Sequence, residues 1–462
     1  MPETTLTPTT SQDLPNWLKK NTIRSVRVEG TNLDGALMGK VLSPNKATGA
    51  LSSGVGFADL AFDADLGNTP RFGYALQSWR GDLLDVILKP DPTTIVEWRP
   101  GQASILGSFE DRDGNPLPVC PRSLLQRVCA QSKQAGYLPK IAIEIEASIF
   151  EESVQEARIK GFRNLTPLGG SAGFAYHMPK DRQWHEYMEA VADRLDSIGV
   201  PWECLNDEAA AGQIEINLAV SDPLTACDHW TRTRQVMREV AFDLGRTVTF
   251  MAKWCDEYGQ ASHINLSLWD ENGANAFYAA DGPSATLNSF MGGVMQTLAG
   301  TTSLALPWIT SYRRITDFEG PPTTVTWGLS NKFTAVRAIT GHATQSRIEY
   351  RVPGSDSNCY LVAAAVLASG LHGMANALQP PQPFEGITYG LPDGVVDHLP
   401  DTISKASALL ADDTLLRSLL GQDLIDHWLG NKKWEWMMFH QYGGSPSDPI
   451  TDWELTRYFE LV

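Results

Sequence analysis

The chain has little of what would place it in several familiar classes. Its six cysteines, Cys120, Cys129, Cys204, Cys227, Cys255 and Cys359, form no C-x-x-C pair and no regular framework, which excludes a disulfide scaffold and a zinc finger. Basic residues are scarce. Lys and Arg number 37 against 54 Asp and Glu, a net charge of −17, and such a surface repels polyanions, so neither nucleic acid nor an anionic membrane is expected as a partner. Long apolar runs are missing too: residues 360–378 are broken by Ser369, Gly370, His372, Gly373 and Asn376 and read as a buried helix, not a membrane span. The opening MPETTLTPTTSQDLPNWLKK has no basic patch leading into an apolar core. No secretory leader is expected, and the expected compartment is the cytoplasm.

What is present divides the chain unevenly. Its 462 residues, 42% hydrophobic and 20% charged, suffice for two or three structural units with a sizeable core. Residues 1–16 are rich in Thr and Pro and are expected to be mobile. Across 17–121, short strand-like runs such as 84–88 and 94–98 lie between Gly, Pro and Asp turns, which predicts a small β-rich domain. From 122 to 462, helical patterns at 124–135, 186–198, 224–244 and 360–378 alternate with strand-like segments, which predicts a larger α+β domain.

Four segments of the larger region carry the chemistry. In IAIEIEAS, Ile141, Ile143 and Ile145 alternate with Glu144 and Glu146, and a strand places such neighbours on opposite faces. GQIEINL sets Gln213, Glu215 and Asn217 against Ile214, Ile216 and Leu218, with Glu208 on the preceding turn. SHINLSL sets His263, Asn265 and Ser267 against Ile264, Leu266 and Leu268, and RIEYRV sets Arg347, Glu349 and Arg351 against Ile348, Tyr350 and Val352. One alternating strand alone is most simply a sheet with a wet face. Together these faces collect Glu144, Glu146, Glu208, Glu215, Glu349, His263, Arg347 and Arg351, and no lysine. Carboxylates held side by side repel unless a cation sits among them. Carboxylate oxygens with one imidazole suit Mg²⁺ or Mn²⁺, and arginines on the same surface suit phosphate oxygens, which predicts phosphoryl transfer without a P-loop.

Two look-alike motifs are set aside. Residues 169–173, GGSAG, match G-x-S-x-G but follow no apolar strand. Residues 35–40, GALMGK, have one residue too few for a P-loop and continue with Val41, and read as a turn between strands.

From about Pro121 onward, the segments resemble the glutamine synthetase family. The E-x-E strand is Glu144-Ile145-Glu146, the E-x-x-x-G-Q-x-E segment runs from Glu208 to Glu215, and His263 stands where the family has its metal histidine. S-Y-x-R is Ser311 to Arg314, W-x-x-x-N-[RK] is Trp327 to Lys332, and R-I-E-x-R is Arg347 to Arg351. The resemblance implies an N-terminal β-grasp domain and a catalytic domain built on a curved antiparallel sheet flanked by helices. It implies two to three Mg²⁺ or Mn²⁺ ions per site, one held by Glu146, Glu208 and Glu215 and a second by Glu144, His263 and Glu349, with ATP as co-substrate. It further implies Arg314, Arg351, Gly259 and Tyr258 around glutamate. Asn265, Ser267, Lys332, Arg337 and Arg347 are expected near ATP and the transferring phosphate. Glu319 stands near the family's latch glutamate, one residue closer to Arg314. A homo-oligomer, a dodecamer with sites between subunits, is the expected assembly.

Departures from the family's pattern bear on the substrate pocket, the phosphates and the amine. Tyr258-Gly259 replaces the family's Asn-Gly, and Lys332 replaces an arginine, keeping charge but losing the bidentate fork. The D-G-S-S type segment of ammonium-using members is replaced by VGFADLAFDADLGNTP, leaving Asp59, Asp63 and Asp65 as the acidic candidates, with Asp63 expected to serve catalysis. Tyr176, in FAYHMP, is expected to line the amine pocket. The expected activity is therefore ATP-dependent joining of an alkyl, aryl or polyamine to the γ-carboxyl of glutamate through γ-glutamyl phosphate. Glutamine synthesis from ammonium is the nearest alternative, and a catalytically silent structural or regulatory oligomer is the alternative of another class.

Overall fold

The structure is a computed structural model and describes residues 13–71, 84–170, 173, 175–392 and 394–462. Residues 1–12 of the expected mobile segment, Ser171 of the GGSAG segment and Phe174 of FAYHMP lie outside the described residues.

The chain begins with α1 (Leu14–Lys20), β1 (Ser25–Thr31), β2 (Leu37–Leu42), α2 (Pro44–Ser53), β3 (Val55–Ala58), β4 (Asp85–Pro90), β5 (Val96–Arg99) and β6 (Gln102–Glu110). Leu14 and Leu18 are buried on α1, so the first helix begins three residues before the expected boundary at residue 17. The strands form one six-stranded sheet in the order β2-β1-β6-β4-β3, with β5 also on β6. β1 and β6 run parallel and the other pairs antiparallel. The GALMGK stretch lies at the β1–β2 hairpin, where Gly35 takes the left-handed φ of 84° that the turn needs.

There follow α3 (Pro121–Gln134), β7 (Leu138–Phe150), α4 (Val154–Ile159), α5 (Arg182–Ser197), β8 (Trp202–Asp207), β9 (Gln213–Leu218), α6 (Pro223–Asp243), β10 (Thr247–Thr249) and β11 (Ile264–Trp269). The remainder holds β12 (Tyr278–Ala279), β13 (Gly282–Pro283), α7 (Ala285–Ala305), α8 (Ile309–Arg313), β14 (Trp327–Leu329), β15 (Val336–Ile339), β16 (Arg347–Tyr350) and α9 (Cys359–Ala375), then α10 (Ile403–Asp412), α11 (Thr414–Leu420), α12 (Gln422–Met438) and α13 (Asp452–Tyr458). The larger sheet has the order β14-β15-β16-β11-β7-β9-β8, with β10 also on β7. It is antiparallel except for β14 and β15, which run parallel.

The four strands singled out in the sequence lie side by side as β16, β11, β7 and β9. Their isoleucines and leucines are buried together, and α3 and α6 pack over β7. Register then sets the polar face: Glu146 opposes Glu215, Glu144 opposes Asn217, and Asn265 opposes Glu349. A slip of one residue would turn every one of these side chains into the core, so burying the apolar face also fixes the carboxylates. Behind the sheet, α9 packs on α7 with glycine against backbone. A Cβ on Gly293 would lie 2.0 Å from the Ser369 carbonyl, and one on Gly373 would lie 2.2 Å from that of Ser289. This accounts for the apolar 360–378 run as a buried helix; among the described residues no helix is long and apolar enough to cross a membrane.

One carboxylate joins the two sheets. Glu239 of α6 accepts from Arg27 at 2.7 Å, Arg99 at 2.8 Å and the Trp98 indole at 2.9 Å, all on strands of the N-terminal sheet. Burial alone would raise its pKa, but these donors with Gln235 hold the carboxyl at about 2. Removing the acceptor leaves two arginines and an indole short of a partner. We expect Glu239→Ala to cost about 3 kcal/mol in urea unfolding, whereas a loss below about 0.5 kcal/mol would mean that apolar packing alone holds the sheets together.

Candidate active site

The polar face of the larger sheet opens into a cavity of about 330 Å³. Glu144 and Glu146 come from β7, Glu215 from β9, Glu208 from the turn before it, His263 from the residue preceding β11, and Glu349 from β16. Opposite them stand Arg314, Arg337 and Arg351, with Lys332, Tyr176, Tyr258, Gly259 and Glu319 completing the wall. Glu144, Glu146, Glu215, Arg337 and Glu349 come from distant parts of the chain and converge because period-two alternation puts each on the same side of one sheet.

The carboxylates fall into two groups with opposite electrostatics. In the first, the Glu144 carboxylate takes His263 Nδ1 at 2.8 Å and Asn265 Nδ2 at 2.8 Å. Glu349 accepts from Arg337 at 2.9 Å and from Arg351, and lies 3.6 Å from His263 Nδ1. Burial opposes ionisation here, yet Arg351, His263 and Arg337 bring Glu349 down to about 2, and His263 holds Glu144 below its ordinary value. In the second group the balance reverses. Burial, then the Glu146 charge, pushes Glu208 up to about 7 and Glu215 up to about 9. Tyr176 is raised by burial and by the same carboxylates, Glu208 first. Each of these protons is what a cation would displace.

Two observations test whether a divalent ion fits. Glu144, His263 and Glu349 each offer a ligand atom within 4.8 Å of the others, and the buried His263 Nε2 has no hydrogen-bond partner among the described residues. A hard cation among carboxylate oxygens with one imidazole matches this donor set. Glu208 and Glu215 lie on the same wall as Glu146, whose charge with burial raises both of them, and a cation there would offset that repulsion.

The wall facing the carboxylates is also built tightly. Arg314 is 3% exposed and donates to the Val352 carbonyl at 2.9 Å, while burial and Arg351 lower it to about 10. Gly259 must be glycine, because a Cβ there would sit 2.6 Å from Arg314 Cγ and 2.9 Å from the Ala252 carbonyl. Gln213 ties this wall to the carboxylates, donating to Glu146 at 3.1 Å and to the Gly259 carbonyl at 3.0 Å. Its place in GQIE marked it as polar-face, but its bridging role depends on a contact 46 residues away. Lys253, which grips Glu319, was missed because nothing in its own segment points to a partner at 319.

Four expected site residues do not reach the cavity. Asn265, Ser267 and Arg347 are absent from its wall. Asn265 instead stands between Arg347 (2.9 Å) and Glu144 (2.8 Å), positioning both, and Ser267 accepts from the Trp269 indole at 3.0 Å. Asp63 corrects the sequence reading more sharply. It is 0% exposed, and its carbonyl takes the Arg71 amide at 2.9 Å. Asp59 and Asp65 are buried as well, and Asp65 takes Trp434 and Arg457, each at 3.0 Å. Among the described residues, none of the three aspartates lines the cavity.

The chain is similar to known proteins over most of its length. Residues 118–458 match the glutamine synthetase catalytic domain. The chain is 28% identical over 457 residues to a glutamate–isopropylamine ligase of a Pseudomonas species, covering 97% of each. It is 30% identical over 456 residues to a type-1 glutamine synthetase of Dictyostelium discoideum, covering 97% of this chain and 86% of the relative. It is 30% identical over 405 residues to a γ-glutamylethanolamide synthetase of Streptomyces coelicolor, covering 87% and 85%. Among solved structures, ligand-free GmaS superposes with a TM-score of 0.81 at 24% identity, covering 96% of this chain and 98% of that one.

Because Glu208 and Glu215 hold protons to about 7 and about 9, cation binding must expel them. Affinity for Mg²⁺ or Mn²⁺ should climb as pH rises from 6 to 9, with proton release visible as buffer-dependent heats in titration calorimetry. Glu215→Gln should flatten the upper part of that climb. An affinity independent of pH would mean the carboxylates are already ionised without a cation.

Proposed function

The chain belongs to the glutamine synthetase family, and we propose that it joins an organic amine to the γ-carboxyl of glutamate with ATP as phosphoryl donor. In this reading Arg314 and Arg351, with Gly259 and Tyr258, hold the carboxylates of glutamate. Arg337 and Lys332 face the transferring phosphate, and Arg347 with Asn265 supports them from behind. A γ-carboxylate oxygen attacks the γ-phosphorus of ATP and ADP leaves, giving an acyl phosphate. The amine nitrogen then attacks the acyl carbon, the C–O bond to phosphate breaks, and the nitrogen gives up its surplus proton. Glu319, held at the rim by Lys253, is the carboxylate placed to take that proton. The two carboxylate groups would hold divalent ions, Mg²⁺ or Mn²⁺, which supply charge neutralisation for the polyphosphate. Closure of the rim over the cavity would keep water from the acyl phosphate.

The observation that carries the choice of amine is the character of the cavity mouth. Tyr176 and Tyr258 stand there 67% and 45% exposed, while Asp59, Asp63 and Asp65 are turned inward. Selecting NH₄⁺ calls for a small anionic pocket, whereas aromatic rings suit the apolar part of an alkyl or aryl amine. Two of the relatives are named for organic amines. We propose further that the enzyme is a homo-oligomer, a dodecamer in which a neighbouring chain covers the exposed Tyr176.

The direct test is phosphate release from ATP with Mg²⁺ and glutamate, comparing ammonium with alkyl, aryl and polyamines. A kcat/KM at least about tenfold higher for one organic amine supports the proposal. Preference for ammonium would make the protein a glutamine synthetase, and silence with every amine would leave a non-catalytic assembly. Arg351→Ala should raise KM for glutamate about 10- to 100-fold by removing a charge-assisted contact, read from initial rates at saturating ATP and amine.

A further inference from the structure

The β1–β2 hairpin that bears the GALMGK stretch borders a second cavity, of about 170 Å³. Gly35, Ala36 and Leu37 face Trp230, Arg234 and Arg238 of α6 and residues 460–462 across it, and no lining residue is shared with the carboxylate cavity. Arg234 is 5% exposed. Its guanidinium stacks on the Trp230 ring at 4.4 Å and the Phe250 ring at 4.5 Å, so hydrogen bonding is left to its in-plane N–H groups. Nε and Nη2, the pair that grips an oxyanion with two parallel bonds, have no hydrogen-bond partner among the described residues.

Arg238 brings a second guanidinium, 4.7 Å over the Phe250 ring, with one N–H given to a main-chain oxygen of Val462 at 2.5 Å. The carboxylates on the wall also hold other cations. Asp34 lies 3.3 Å from Arg71 and 3.8 Å from Lys432, and Glu460 lies 2.8 Å from Arg158. Burial and the Arg238 charge push Arg234 well below its ordinary value, and burial brings Arg238 down to about 10. Asp356 and Glu460 act on these arginines only through space, so the buried Arg234 keeps two N–H groups that nothing among the described residues accepts, an arrangement that a protein tolerates poorly unless something supplies the acceptor.

We propose that this cavity binds a small oxyanion, a carboxylate or a phosphate, between Arg234 and Arg238. Ala36, Leu37 and Leu461 close the apolar side and limit the occupant to about the size of a short dicarboxylate. The site adjoins the catalytic sheet directly: the Trp230 indole donates to Ser262 Oγ at 2.9 Å, and Ser262 Oγ donates to the Glu144 carbonyl at 2.8 Å. The proposal stands apart from the choice of amine.

The test follows thermal unfolding of the full chain with succinate or inorganic phosphate, against chloride at equal ionic strength. The active-site arginines also attract anions, so wild type is compared with Arg337→Ala, Arg234→Met and Ala36→Leu, the last filling the cavity without touching a charge. The expected result is a rise in melting temperature of about 2–3 °C that survives Arg337→Ala and is lost in Arg234→Met and Ala36→Leu. Calorimetry should show the anion's Kd weakened at least about tenfold in those two variants; should Arg234→Met fail to fold, Ala36→Leu decides. Whichever of succinate and phosphate acts identifies the source of the oxyanion. A rise that persists in both cavity variants, or no rise above chloride with either anion, overturns the proposal.

Discussion

Mutual repulsion among carboxylates confined in one cavity is the constraint around which the rest of the molecule is arranged. Glu144, Glu146, Glu208, Glu215 and Glu349 share a wall, and no isolated strand would hold them there. The fold meets the constraint by unequal means. On the Glu349 side, Arg337, Arg351 and His263 offset the charge; on the Glu215 side the Asn217 amide is outweighed, and burial with the Glu146 charge raises the carboxyl to about 9. The cavity is therefore electrically lopsided, with one half whose carboxylates are offset and another whose carboxylates are raised by burial and mutual repulsion.

That lopsidedness suits a reaction in which polyphosphate meets an acid. In the proposed reaction the arginines would face carboxylate and phosphate oxygens, and the carboxylates would hold the ions that accompany a nucleotide. Gln213 ties the two walls, reaching both Glu146 and the Gly259 carbonyl, so neither half can shift without the other.

The strands were legible because alternation is local and their isoleucines had to be buried: Glu144, Glu146, Glu215, His263 and Glu349 reached the cavity from pattern alone. Alternation tells which face a residue joins but not how far the cavity runs along a strand. Hence Ser267, Asn265 and Arg347 share the polar face and yet stand outside the wall. Asp63 misled for another reason. An acidic run in a turn-rich segment looks like surface, and only the packing of α12 and α13 against it, through Trp434 and Arg457 on Asp65, shows it to be interior. The pairing of Lys253 with Glu319 spans 66 residues and left no trace in either segment.

The hub at Glu239 has a mechanical meaning. Because Arg27, Trp98 and Arg99 all anchor to one side chain of α6, strain applied to the N-terminal sheet is delivered to that helix and not dissipated in a linker. The same helix carries Trp230, which leans through Ser262 on the strand bearing Glu144. A neighbouring molecule pressing on the N-terminal sheet would therefore load a lever whose short arm ends at the carboxylates, so that assembly and the spacing of the charged groups become one elastic property.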